Sequence, residues 1–305
     1  MRRRVDQPRP GDKNSRLVRA YRAARLVVHL GVGLLAGCVL PLMSRAVRQG
    51  IIRGWCRAAL RVLGVRLVLR GDAPAAPLAN ALVVANHVSW LDVLMINALQ
   101  PTRFVAKSEI RAWPVFGWLA QRTRTLFIDR TRRHDTARIN GEITAGLSGG
   151  ECFTVFPEGT TSDGTYLGAF HASLLQPPIK SAGEIRPLAL RFVHADGSIN
   201  RAPAYCGDMS LTQSLRQILA EPVIEAELTF CPPIAAAGRA RRVLADEAAA
   251  AIASALGLGL ARRASGKPLP SPAERPTAGH PTHTRCPEQP DFALCEALEP
   301  TSARK

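Results

Sequence analysis

From Val65 onward the chain alternates short apolar runs with stretches of helical periodicity, and that rhythm narrows the fold more than any other feature. The strand-like runs cover residues 65–69, 81–85, 103–106, 126–128, 152–156, 186–192 and 225–230. Helical patterns fill the gaps at 91–99, 113–122, 135–147, 169–182 and 239–255. Strands separated by helices read as crossover units. The fold class is therefore α/β, a mostly parallel central sheet flanked by helices, with active residues on loops at the strand ends. A chain of 305 residues is long enough to bury a substantial core in such a sheet.

Ahead of the sheet the composition changes. Residues 1–13 are basic and interrupted by proline, and are expected to be mobile. Residues 26–43, "LVVHLGVGLLAGCVLPLM", are apolar apart from His29, near the lower limit for a bilayer span, where ~20 residues are usual. Arginines flank this run on both sides, so charge alone assigns no orientation. Residues 46–63 place Arg53, Arg57 and Arg61 on one helical face, with Ile52, Trp55, Ala59, Leu60 and Leu63 largely elsewhere. That pattern suits a helix lying in an interface with anionic lipid, a reading the preceding apolar segment favours over a core helix with a solvated basic face. Two further patterns here are read as accidental. Residues 34–38, "LLAGC", mimic a lipoprotein processing box, but the apolar run continues past Cys38; Gly33 and Gly37 mimic a helix-dimer face.

The expected organisation is a mobile 1–13, membrane-associated helices over 14–64, a catalytic α/β domain over 65–262 and a disordered Pro-, Thr- and Ser-rich tail over 263–305. His280 and His283 in that tail are incidental. Forty Lys and Arg against 24 Asp and Glu give a formal charge of +16, which favours an anionic partner such as a membrane surface or a phosphorylated substrate. Aromatic residues make up only 5% and no nucleic-acid module is recognisable, so nucleic acid is not the expected partner. The seven cysteines are scattered without a C-x-x-C pair, a pattern of free thiols in a reducing compartment rather than a disulfide or zinc framework.

Several stretches could carry chemistry. "GLSGG", residues 146–150, has the composition of a nucleophile elbow around Ser148. It follows a helix and precedes a strand, the reverse of what an elbow needs, so it reads as a helix stop. "VVANHVSWLD", residues 83–92, ends an apolar strand on His87, with Asp92 five residues later. Within one regular helix these two side chains would lie about 140° apart, so they meet only if His87 precedes the helix that carries Asp92. If they meet, Asp92 holds one imidazole nitrogen and leaves the other free as a base; otherwise the stretch is a polar turn closing a buried strand. "VFPEGTTSDG", residues 155–164, runs a strand into Glu158, Gly159 and Thr160, a loop presenting a carboxylate and backbone N–H groups. "LFIDR", residues 126–130, puts Arg130 at another strand end, placed for a phosphate or for a salt bridge with Asp129. Lys107 ends a strand in the same way.

In order, "NHVSWLD", "LFIDR", "FPEGT" and "IRPLALRF" resemble the four blocks of the glycerolipid acyltransferases, a likeness that covers roughly residues 53–230 and includes "FVAKSEI" and "WPVFGWLA". The resemblance implies direct transfer of a fatty acyl group from acyl-CoA or acyl carrier protein to a lysolipid hydroxyl, such as the sn-2 hydroxyl of 1-acyl-sn-glycerol-3-phosphate, giving phosphatidate. It implies His87 as base with Asp92 holding its ring. Glu158, Gly159 and Thr160 fall in the acceptor-binding block, Arg130 matches the arginine associated with glycerol phosphate, and Pro187 matches the block on the acyl-donor side. No metal and no cofactor are required, and the expected location is the cytoplasmic face of the inner membrane. Three positions depart from the family pattern: Arg124 stands where a glycine is usual, Thr161 where an arginine is common after "FPEGT", and His171 where a basic residue often follows. The loss of the first arginine brings in a second acceptor, lyso-ornithine lipid, whose acyltransferases the variant "FPEGTTSDG" also resembles. Arg124 is a candidate to replace the missing cation.

Overall fold

The computed structural model describes residues 13–129 and 132–259. Two antiparallel helices lead into the sheet: α1 (Arg16–Val39) and α2 (Arg45–Leu63), joined by a 3-10 turn at Leu40–Leu42. Strands β1 (Val65–Gly71), β2 (Ala81–Ala85), β3 (Arg103–Lys107), β4 (Leu126–Ile128), β5 (Cys152–Val155), β6 (Glu184–Val193), β7 (Ile224–Phe230) and β8 (Ile234–Ala235) form one sheet. Its order is β1-β7-β6-β2-β5-β3-β4, with β8 also on β6. The block β6-β2-β5-β3-β4 is parallel throughout; β7 and β8 pair with β6 antiparallel, and β1 follows β7 in parallel.

The helices α3 (Leu91–Leu99), α4 (Phe116–Arg122), α5 (Arg133–Ser148), α6 (Gln176–Lys180) and α7 (Leu211–Ala220) connect these strands, and α8 (Arg241–Leu256) follows the last of them. Strand β2 shows why the apolar runs were continuous. Ala81, Val83 and Ala85 face a core completed by α2, α3 and α7, whereas Leu82 and Val84 face a second core completed by α5 and α8. Buried on both faces, such a strand has no place for alternating polar residues.

The helical pattern over 169–182 resolves into a short 3-10 turn, Ala172–Leu175, and the single-turn α6. Pro177 and Pro178 lack the N–H groups that a longer helix needs, so the proline pair is tolerated only at the start of α6. Pro187 sits inside β6, opposite Val84 of β2, where β7 gives way to β8. Three residues, Cys231, Pro232 and Pro233, there oppose two on β6, and Cys231 N–H reaches the Pro187 carbonyl at 3.1 Å. A strand interior accepts proline at such a bulge.

Residues 26–39 of the apolar run form the second half of the longer helix α1, and Leu40–Leu42 the 3-10 turn after it. Gly33 and Gly37 are its buried positions and form a seat rather than a dimer face: a Cβ at Gly33 would lie 2.7 Å from Trp55 Nε1, and one at Gly37 would collide with the Trp118 ring. His29 stacks on Trp55 at 4.7 Å, and the two side chains exchange hydrogen bonds with each other's backbone carbonyls at 3.0 and 3.1 Å. The exposed apolar residues of this pair of helices lie mainly on α1, whereas α2 exposes Arg57 and Arg61. Helix α2 buries Cys56, Ala59, Leu60, Val62 and Leu63, and its Arg57 donates to the carbonyl of Ala98 near the end of α3. Exposed Leu17, Tyr21, Val28, Val32, Leu35, Val39 and Leu42 follow one another at helical spacing along α1 and the turn after it.

Candidate active site

Parallel strands bring their C-terminal ends to one edge, and register decides which residues meet there. Val84 of β2 pairs with Val155 of β5, so His87 and Glu158, each three residues farther on, leave the sheet side by side. The carboxylate of Glu158 accepts from the backbone N–H of His87 at 2.7 Å and from that of Gly168 at 2.8 Å. A Cβ on Gly168 would approach Glu158 Oε2 to 2.9 Å, so glycine permits this contact. Gly159 follows with a φ of 79°, a left-handed turn that suits glycine. Thr160 beyond it is exposed. Burial raises the Glu158 carboxyl to about 7, against the two backbone donors that pull it down.

His87 lies in the loop before α3, and Asp92 is the second residue of that helix, so the condition for their meeting is met. His87 Nδ1 lies 2.8 Å from Asp92 Oδ2. The same oxygen accepts from the N–H groups of Val88 and Ser89, at 2.8 and 2.9 Å. Asp92 is fully buried and in the first turn of α3, where the helix dipole favours a carboxylate. The imidazole stacks on Phe156 at a centroid distance of 3.9 Å and an interplanar angle of 9°. Its side chain remains 21% exposed, and Nε2 has no partner among the described residues. With Nδ1–H donating to a carboxylate, Nε2 carries the lone pair: a held base that faces outward.

Around this pair the chain is tied down by backbone bonds. Ser162 N–H donates to the His87 carbonyl at 2.8 Å, and Tyr205 N–H to the Val88 carbonyl at 2.9 Å. Asn86 bridges β2 to Leu190 of β6 with both its amide groups, at 2.7 and 2.9 Å. In the sequence Asn86 reads only as the polar residue of a turn that closes an apolar strand, and nothing there marks its bond to β6 or the part of the 201–205 loop. Thr161, at the departing position, donates its hydroxyl to the carbonyl of Tyr205. Asp163 beside it stands 3.9 Å from Arg201.

The other candidates divide. Lys107 ends β3, the neighbour of β5, on the same edge as His87. Arg130 lies outside the described residues. Pro187 lines a mainly apolar groove with Leu78, Val83, Ile96, Leu99 and Phe230, and His87 is not among the residues that line it. Arg124 does not replace the missing cation: it precedes β4 at the opposite edge and binds Glu151 at 2.8 Å. Ser148 is exposed at the end of α5, as expected for a helix stop.

A family model of acyltransferases matches residues 66–191, from the first strand through β6. A lyso-ornithine lipid O-acyltransferase of Pseudomonas aeruginosa is 34% identical over 251 residues, 79% of this chain and 95% of that protein. The chain belongs to the acyltransferase family. A 1-acyl-sn-glycerol-3-phosphate acyltransferase of Neisseria gonorrhoeae is 33% identical over 243 residues, covering 77% of this chain and 92% of its own. The crystal structure of the 1-acyl-sn-glycerophosphate acyltransferase of Thermotoga maritima superposes with a TM-score of 0.58 at 19% identity, over 79% of this chain and 94% of that one, and so shares the α/β fold. The acyltransferase relatives carry two different acceptor names, which leaves the family and the reaction type common to both.

Proposed function

We propose that this acyltransferase moves a fatty acyl group from a thioester, acyl-CoA or acyl carrier protein, to the sn-2 hydroxyl of 1-acyl-sn-glycerol-3-phosphate at a membrane surface. One observation carries the reading: His87 is held through Nδ1 by a buried carboxylate and offers an unpartnered Nε2 at the strand-end edge. Nε2 takes the acceptor's hydroxyl proton as the oxygen attacks the thioester carbonyl. The tetrahedral intermediate then expels the thiolate, which recovers the proton from the imidazolium, while Asp92 stabilises the transient charge. The acceptor oxygen is itself the nucleophile, so no acyl-enzyme is needed, and the chemistry calls for neither metal nor cofactor.

Glu158 spends both oxygens on backbone N–H groups, so its part is to shape the loop that presents His87 rather than to bind the headgroup. Lys107, and Arg130 two residues beyond β4, supply the cations for a phosphate. A second acceptor, lyso-ornithine lipid, is favoured by Thr161 and Asp163, which put a committed hydroxyl and a carboxylate where a phosphate would want a cation. The exposed apolar row on α1 supports attachment to a membrane surface, and the proposed location is the cytoplasmic face of the inner membrane, beside the lipid substrates.

The test is acyl transfer by purified protein from a labelled thioester to each acceptor in parallel. Labelled phosphatidate, absent with His87→Ala, supports the main reading; ornithine lipid alone moves the acceptor to the second. Unchanged turnover by His87→Ala removes the base.

A further inference from the structure

The edge opposite His87 holds a concentration of arginine that the reaction does not use. Glu151, just ahead of β5, accepts from Arg103 of β3 at 2.6 Å and from Arg124 at 2.8 Å. Arg103 also donates to the Arg124 carbonyl at 3.0 Å. Arg45, the first residue of α2, reaches the Gly150 carbonyl at 2.6 Å. Arg48, one turn later, has no hydrogen-bond or ion-pair partner among the described residues. Burial and the nearby guanidinium of Arg124 depress its pKa, which Glu151 opposes and Arg45 and Arg103 reinforce. Four guanidiniums thus gather around one carboxylate, which bonds two of them. Two of them occupy the first turn of α2, which has no acidic residue and where the helix dipole disfavours cations.

Arg124 adds a second oddity. Its φ is 63°, in the left-handed region that L side chains other than Asn and Asp seldom adopt. Glycine would relieve that backbone, yet an arginine stands there with its side chain directed to the cluster. Strain kept at a charged cluster points to a use for the charge. The surroundings say which use: Val39, Leu42 and Val47, all exposed, flank Arg45 at the end of the α1 stripe. Exposed apolar side chains beside a cluster with more guanidiniums than carboxylates form the pattern of a bilayer interface rather than of a pocket for a soluble ion.

We infer that Arg45, Arg48, Arg103 and Arg124 form a binding site for the phosphate of an anionic phospholipid headgroup, separate from the catalytic edge, that seats the α1 stripe on the membrane. The site rests on the membrane reading given above but not on which lysolipid is acylated.

Flotation of the full-length protein with phosphatidylcholine vesicles, with and without phosphatidylglycerol, tests it. Wild-type protein should prefer the anionic vesicles, and the preference should shrink with salt. Arg48→Gln and Arg124→Gly should each weaken anionic binding about fivefold, the worth of one basic residue near such a surface. Both should leave phosphatidylcholine binding and turnover of detergent-dispersed substrate unchanged. Arg124→Gly should not lower the melting temperature, because it relieves the backbone; a merely structural arginine would lower it. Unchanged anionic binding in both variants overturns the site, and so does an equal loss from Arg66→Gln on the far edge strand. Arginine-dependent calorimetric binding of inorganic phosphate, with no vesicle preference, would hand the cluster to a soluble ligand and overturn the lipid assignment. Wild-type protein that binds both vesicle types equally defeats only the headgroup site. Protein that floats with neither brings down the membrane reading and the site with it.

Discussion

Asp92 Oδ2 accepts from three donors at once: the His87 ring, Val88 N–H and Ser89 N–H. The two backbone bonds mean that the carboxylate is positioned by the loop before any substrate arrives. Asp92→Asn keeps the size but replaces an acceptor by an amide whose nitrogen cannot accept from Nδ1–H. Turnover should fall about 10²–10⁴-fold with little change in KM, checked by steady-state kinetics. Glu158 makes a different prediction. A carboxyl raised to about 7 when folded, from 4.5 when unfolded, binds its proton more tightly in the native state. Its contribution to stability is complete below the unfolded value and is lost as pH rises through about 7, on the order of 3 kcal/mol in all. Urea denaturation from about pH 5 to 8 should show that decline in the wild type and a flatter profile in Glu158→Gln. Equal slopes would mean that Glu158 titrates normally. The sequence made His87 and Glu158 legible as strand-end polar residues, with Asp92 in the helix after the first, yet it could not say what Glu158 does. A carboxylate after "FP" looks available to ligand, and only the β2–β5 register reveals that both its oxygens are spent on backbone.

At the level of elements, seven strands were readable because each carries a short apolar or alternating stretch, and β2 is buried on both faces. Helix α7 was not anticipated, although its Ser210–Gln213 capping box was present in the sequence as S-x-x-Q. Ten residues with a narrow apolar face look like loop until the cap is noticed. The docking of α1 was hidden for another reason: Gly33 and Gly37 act through Trp55 and Trp118, which lie on other helices, and no local pattern records that pairing. Gly33→Leu should therefore act as overpacking. The indole would be displaced, the His29–Trp55 exchange broken and stability lowered by about 1–3 kcal/mol. Proteolysis should begin near α1, while detergent-dispersed substrate is still turned over. An unchanged melting temperature would show that α1 packs elsewhere.

The whole molecule decides how α1 can meet a membrane. Its 24 residues measure about 36 Å, enough by length to cross a bilayer. Both ends, however, are fastened to the same body. At the start, Asn14 donates to the carbonyls of Leu219 and Glu221, and Arg22 to those of Glu221 and Pro222. At the end, Gly37 seats Trp118, and Arg45 of the next helix holds Gly150. A helix pinned at both ends to one α/β domain cannot pass through the bilayer without tearing those contacts apart. It can lie along the surface with its exposed row, including Tyr21, Leu35 and Leu42, sunk into the interface. Single-cysteine variants Tyr21→Cys and Leu42→Cys, in an otherwise cysteine-free chain within sealed vesicles of known orientation, distinguish the two arrangements. For an in-plane helix, a membrane-impermeant maleimide should modify both positions from the side that carries the catalytic domain and neither from the other. Modification of the two ends from opposite sides would mean that α1 spans the bilayer and that its packing on the domain gives way there.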